Sequence, residues 1–147
     1  MYLKKGLKGG KNMYLIDSSI LLELIFGQEK SEECKNFMQK VKAGEIKCFV
    51  SDFNIDSILL AIYRHTKNIK LMQTFLASMI ELLNLPIYFI GLDDRIKAIG
   101  YIEKYGLDFE DSMTLQATIG SGCTHIVSFD KHFDNLPVKR VEPRNIA

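Results

Sequence analysis

The chain predicts an α/β fold built on a mostly parallel sheet. Three observations carry that expectation. Short apolar, β-rich runs alternate with longer segments of helical periodicity. The intervals between runs are long enough for helical crossovers, which parallel strands require. Two of the runs, YLI and IVSF, stop on an aspartate, Asp17 and Asp130, and the carboxyl ends of parallel strands are where open α/β sheets form their ligand crevice.

Taken in order, Tyr14-Leu15-Ile16 is the first strand and ends at Asp17. The pair Ser18-Ser19 offers a helix N-cap, Ile20, Leu21, Leu24 and Ile25 supply one apolar face, and Gly27 is a stop. Ser31 to Lys42 is a second helix, with Cys34, Phe37, Met38 and Val41 at three-to-four spacing, closed by Gly44. Lys47 to Val50 is a strand, after which Ser51 or Asp52 opens a helix carrying Ile55, Ile58, Leu59 and Ile62. Asn68 to Leu83 is amphipathic through Leu71, Met72, Phe75, Met79 and Leu82. Pro86 to Ile90 is a strand, and Asp93-Asp94 start a helix that runs to Tyr105 and breaks at Gly106-Leu107. A helix from about Glu110 to Ser121 closes at Gly122; His125 to Phe129 and a weaker Val138 to Val141 are the last strands. The sheet therefore has four to five strands. No repeat or linker divides the chain, so residues 13–147 form a single domain.

Composition narrows the function classes. At 147 residues, with 47% hydrophobic and 25% charged residues, the chain has the make-up of one soluble domain that buries its own core. A formal net charge of +1 excludes a global field for nucleic acid, so any such contact must come from a local patch. Cys34, Cys48 and Cys123 are scattered, with no metal-ligand spacing, and read as reduced thiols of a cytoplasmic protein. No apolar run approaches the ~20 residues of a membrane helix. The opening MYLKKGLKGGKN lacks the apolar stretch of a secretory signal and reads as a flexible basic extension over residues 1–12. Met13-Tyr14-Leu15 repeats Met1-Tyr2-Leu3, which puts the start of the folded domain near Met13.

The acids carry the chemistry. Asp17 and Asp130 follow strands, and Asp111 opens a helix, where the dipole favours its ionised form. Each alone reads as a turn or cap residue; together they form one crevice of carboxylates if the elements lie side by side. Such a crevice repels itself electrostatically, and a hard divalent ion with oxygen ligands relieves the repulsion. Asp93 and Asp94 read as helix first-turn acids, Glu110 as solvated and Asp134 as a turn. Of the three histidines, only His132 lies close to an acidic motif. Lys131, Lys139, Arg140 and Arg144 follow that motif and offer either phosphate contacts or a solvated face. Tyr101 and Tyr105 offer base stacking or, more simply, packing.

At these residues the sequence resembles the PIN domain family, which includes VapC-type toxin ribonucleases. YLIDSSILLEL matches the family's opening strand, its first catalytic Asp (Asp17) and a small polar residue two positions on (Ser19). FEDSMTLQATIGSGCTHIVSFDKHF matches the closing block at Asp111, Gly122, Ser128 and Asp130. The resemblance covers roughly Met13 to Val141. It implies a three-layer α/β/α sandwich and a metal-dependent endoribonuclease using Mg²⁺ or Mn²⁺. Asp17 and Asp111 would be the metal ligands, Asp130 would complete the pocket, and Ser19 and Ser128 would support it by hydrogen bonds. It also implies RNA as substrate, a small antitoxin protein as partner and a homodimer, for which the Leu71–Leu83 face is a candidate surface.

The departure lies at the second acidic position. The family has a Glu on the helix after strand two, and the corresponding position here is Ser57, preceded by Asp56. One helical step turns a side chain by ~100°. Either a small shift brings Asp56 into the pocket as the fourth catalytic carboxylate, which is the expectation adopted, or that carboxylate is missing. The second case motivates an alternative: a PIN-like RNA- or protein-binding module with weak or lost catalysis. A receiver-like phosphoacceptor domain would need an acidic pair after the first strand, and a haloacid-dehalogenase-type phosphatase an Asp at position 19. This chain has serines there.

Overall fold

The computed structural model describes residues 12–146; the expected basic extension, apart from Asn12, lies outside the described residues. Five strands form one parallel sheet. In chain order the elements are β1 (Tyr14–Ile16), α1 (Ser18–Phe26), α2 (Ser31–Lys42), β2 (Cys48–Ser51), α3 (Asp52–Thr66) and α4 (Ile69–Glu81). They continue with β3 (Ile87–Tyr88), α5 (Leu92–Tyr105), α6 (Phe109–Gly120), β4 (His125–Val127) and β5 (Lys139–Val141). Single 3-10 turns cover Lys131–Phe133 and Pro143–Asn145. Among the described residues, no helix is long and apolar enough to cross a membrane.

The strand order is β3-β2-β1-β4-β5. β1 is central, and the direction of winding reverses there: the chain moves out through β2 and β3, then returns to the other side of β1. That reversal opens a crevice between the carboxyl ends of β1 and β4. Ile16 pairs in register with Val127, so the residues that follow each, Asp17 and Ser128, leave the sheet side by side.

Strand alternation sorts the side chains into layers. Ile16, Cys48, Val50 and Val127 join the core beneath α1–α4, with Ile20, Phe37, Val41, Ile58, Ile62 and Phe75. Leu15 and Phe49 point the other way, to Ala98, Met113 and Ala117 of α5 and α6, and Ile126 packs there with Leu115 and Phe133. The three-layer α/β/α sandwich follows from this alternation.

Helix boundaries follow local chemistry. Ser51 caps α3 by accepting from Asn54 N–H at 3.0 Å, and Asn68 caps α4 by accepting from Leu71 N–H. Gly27 and Gly106 end α1 and α5 in the left-handed region, with φ of 58° and 67°, a conformation that a Cβ disfavours. The third strand is only two residues long, against the five expected, because Ile90 N–H turns aside to the Asp52 carboxylate at 3.0 Å. The fourth stops at Val127, before Phe129: Ser128 N–H makes the last ladder bond to Val141 O, and its hydroxyl turns to the crevice.

Helix α6 is buried continuously from Ser112 to Thr118, polar residues included. Buried polar groups are costly unless bonded, and most are. Thr118 donates to Thr114 O, and Gln116 donates to Asp94 while accepting from Tyr101. Thr114 donates to Asn54, whose own amide donates to Ile16 O, so one buried asparagine ties α3, α6 and the end of β1. Ser112 Oγ is buried without a hydrogen-bond partner among the described residues. Removing one partner of a buried bond costs ~1–3 kcal/mol, whereas removing an unsatisfied hydroxyl relieves a cost. Urea denaturation of Asn54→Ala should therefore show a loss of about 2 kcal/mol, and Ser112→Ala should be neutral or stabilising. A destabilised Ser112→Ala would mean that its hydroxyl has a partner.

Candidate metal centre

The crevice is built on Asp17. This residue occupies the N-cap position of α1, where its carboxylate was also open to a capping role, but it makes no side-chain capping bond. Nor is the cap Ser18 or Ser19. Instead Asp17 Oδ2 accepts from Ser128 Oγ at 2.7 Å and from Ser19 Oγ at 2.9 Å. The same Ser128 hydroxyl accepts from Asp130 N–H at 3.0 Å, so one side chain positions both strand-end acids. Burial raises the pKa of Asp17, against hydrogen bonds from Ser128, Ser19 and the Ser18 N–H, while the Asp130 charge raises it further.

Asp111 enters from the first turn of α6. The cap of that helix is Asp108, which accepts from Asp111 N–H at 2.8 Å; its role had no clear signature among so many acids. Burial, then the charges of Asp108 and Asp130, push the Asp111 carboxyl up to about 6, and a bond from His132 opposes them. Asp17 and Asp130 each contribute to raising Asp111, which reflects their common crevice.

Asp130 caps the 3-10 turn by accepting from His132 N–H at 2.9 Å. The turn then folds the imidazole back: His132 Nδ1 lies 3.1 Å from Asp130 Oδ1 and 3.2 Å from Asp111 Oδ2. The charge of Asp130 and the bond to Asp111 raise the His132 pKa. Asp111, Asp130 and His132 each offer a ligand atom, and these atoms lie within 4.8 Å of one another. Among the described residues, the ion pairs of Asp111 and Asp130 are with His132 alone. A set of oxygens plus one nitrogen, with no Lys or Arg among the described residues paired to it, fits a divalent cation.

Asp56 stands apart from this group. Asn54, Ile58 and Ile62 are the buried face of α3, and Asp56 lies two residues, or ~200°, from Asn54. It is exposed, and among the described residues it makes no hydrogen bond or ion pair to Asp17, Asp111 or Asp130. Ser57, three residues from Asn54, lies nearer the buried face. The basic cluster also divides: Arg140 bonds to Asp134, Glu142 and Ser128 O, which makes it a clamp on the pocket's outer wall. Tyr101 bonds to Gln116 and packs against Tyr105.

Asp111 and His132 both hold protons more tightly in the folded protein. For Asp111, the cost of ionising is absent below ~4 and complete above about 6; His132 adds a loss as pH rises through its raised pKa. The folded state then binds more protons than the unfolded chain, so stability falls with rising pH. Asp17, raised by burial, shares this sign. His125 opposes it in the same window, because burial, then the Lys139 charge, lowers its pKa and offsets part of the fall. Asp94 also has the opposite sign, since bonds from Gln116, Gly91 N–H and Tyr88 outweigh burial and lower its pKa, but its loss comes only below the ordinary carboxylate range. Metal-free protein should resist urea better at pH 5 than at pH 7, with a shallower slope in Asp111→Asn. Rising stability over that interval would contradict the proton assignment.

Comparison with known proteins agrees with this architecture. The sequence matches the PIN domain family over residues 14–139. No curated protein matches the chain. Among solved structures, it is similar to VapC20 of Mycobacterium tuberculosis, a toxin that cleaves the sarcin-ricin loop. There the TM-score is 0.65 at 15% identity, covering 80% of this chain and 89% of that one. A toxin-antitoxin complex from Klebsiella pneumoniae gives 0.65 at 18% identity, covering 88% and 97%. VapBC2 from Rickettsia felis, bound to a promoter DNA fragment, gives 0.64 at 14%, covering 88% and 98%. At such identities the structures speak to the fold, while the family match spans most of the sequence. The chain belongs to the PIN domain family.

Proposed function

We propose that the protein is a metal-dependent endoribonuclease, cutting RNA phosphodiester bonds at the pocket of Asp17, Asp111 and Asp130, and that it is the toxin of a toxin-antitoxin pair. The observation that carries this reading is the convergence of three carboxylates from distant elements at the carboxyl end of a parallel sheet, with no Lys or Arg among the described residues paired to them. Membership of the PIN family and the likeness to toxin structures support it.

In this reading Asp17 and Asp111 hold Mg²⁺ or Mn²⁺ and Asp130 completes the pocket. When bound, the ion supplies an acidified water and positive charge for the scissile phosphate. Ser128 and Ser19 keep the Asp17 carboxylate aimed and favour its charged form against the opposing effect of burial. Asp111, near pKa 6, must lose its proton before it can bind a cation. Asp56, exposed on the far side of α3, stays outside the reacting set. The protein works in the cytoplasm, where RNA is available.

The partners are an antitoxin and a second copy of the chain. The face expected to pair copies is partly turned inward: Leu71, Phe75, Met79 and Leu82 line a groove of about 370 Å³ with Leu21, Leu24, Ile25 and Met38. An apolar groove between helices suits an amphipathic helix, so the antitoxin takes this seat. Ile80 on α4, Leu83 just beyond its end, and Leu92, Ile96 and Ile99 of α5 remain exposed for the second copy.

RNA cleavage by purified protein should require Mn²⁺ or Mg²⁺. Asp17→Asn and Asp111→Asn should each lose about 100-fold or more in rate, and Asp56→Asn should stay within about threefold of wild type, as a solvated side chain does. Undiminished cleavage in both of the first two variants would sink the assignment. The alternative, a binding module with lost catalysis, is favoured by Ser57 in place of an acid; RNA binding with no cleavage by wild type under either ion would select it.

A further inference from the structure

We infer that His132 is itself a metal ligand, completing with Asp111 and Asp130 a set of two carboxylates and one imidazole that favours transition ions such as Mn²⁺ and Co²⁺ over Mg²⁺. The inference rests on the hydrolase reading above and adds to it a ligand and a class of ion.

Three features of the structure point this way. The first is spacing. His132 Nδ1 lies 3.2 Å from Asp111 Oδ2 and 3.1 Å from Asp130 Oδ1. With one oxygen each from Asp111 and Asp130 it forms a group whose ligand atoms all lie within 4.8 Å of one another, close enough for a single ion to reach all three.

The second is how firmly the imidazole is delivered. Asp130 N–H is held by Ser128, Asp130 Oδ1 caps the turn through His132 N–H, and Phe133 is fully buried. The backbone on both sides of His132 is therefore fixed, while its side chain is 71% exposed. Neither α6 nor the 3-10 turn needs the ring for its packing.

The third is the empty corner at position 57. With Ser57 there and Asp56 turned outward, α3 offers no carboxylate to the pocket. His132 restores the number of donors from the opposite wall, and changes their kind. Carboxylates and water suit Mg²⁺, whereas imidazole binds it poorly and suits transition ions.

The test uses the metal-free, full-length protein. Titration calorimetry with Mn²⁺, Co²⁺ and Mg²⁺ is run on wild type, Asp111→Asn and His132→Ala, and pulsed electron paramagnetic resonance on the Mn²⁺-loaded forms reads ¹⁴N coupling. Wild type should show ¹⁴N coupling that His132→Ala lacks. In that variant Mn²⁺ and Co²⁺ affinity should fall about tenfold or more, and Mg²⁺ affinity by less than about threefold. Because the side chain is exposed, circular dichroism should show an unchanged fold. Mn²⁺ bound without nitrogen coupling, and equally well by His132→Ala, would overturn the ligand assignment and leave the hydrolase reading standing. No divalent binding by wild type would overturn both.

Discussion

One buried hydrogen bond organises the site: Ser128 Oγ to Asp17 Oδ2, 2.7 Å long and joining residues 111 positions apart in sequence. It exists because β1 and β4 are parallel neighbours, so that two strands ending in register release Asp17 and Ser128 at the same height. Burial pushes the Asp17 carboxylate towards its neutral form. The two serine hydroxyls oppose that cost, and Ser128 spends its acceptor on the Asp130 backbone. One small side chain thus couples sheet register to the placement of two acids. An apolar residue there would leave Asp17 buried with one bond fewer and Asp130 N–H without this partner.

The rest of the crevice is an electrostatic arrangement around that bond. The charges of Asp108 and Asp130 add to burial in raising the proton affinity of Asp111, and His132 is the sole cationic partner of Asp111 and Asp130 among the described residues. Arg140 does not enter this balance. It is held by Asp134 and Glu142, and its remaining reach goes to the Ser128 carbonyl. The guanidinium therefore stiffens the wall without neutralising the acids, which keeps the pocket attractive to a cation.

The layers also divide the labour of packing. The α5–α6 side is polar within, its carboxylate, amide and phenol networks centred on Asp94 and Gln116, and Gly120 lies so close to the Tyr88 hydroxyl that a Cβ there would displace it. The α1–α4 side is apolar and leaves a groove between helices. Networks of the first kind specify one arrangement, which suits the side that must hold Asp111 still. A groove of the second kind accepts a partner by burial of apolar area.

The amino-acid sequence by itself determined the alternation of strands and helices, the parallel sheet, and the positions of Asp17, Asp111 and Asp130 at the ends or starts of elements. Those follow from local signals: β-rich runs, apolar spacing, glycine stops and acids where runs end. Tertiary structure decided what such signals do not encode. Whether Asp17 caps a helix or faces a crevice depended on Ser128, far away in the chain. The orientation of Asp56 depended on which face of α3 is buried, and Asn54 set that face by bonding to Ile16 O and Thr114. His132 was near an acid in sequence, but its approach to Asp111 required α6 to dock beside the turn. Side chains meet through packing of distant segments, and local propensity carries no record of those meetings.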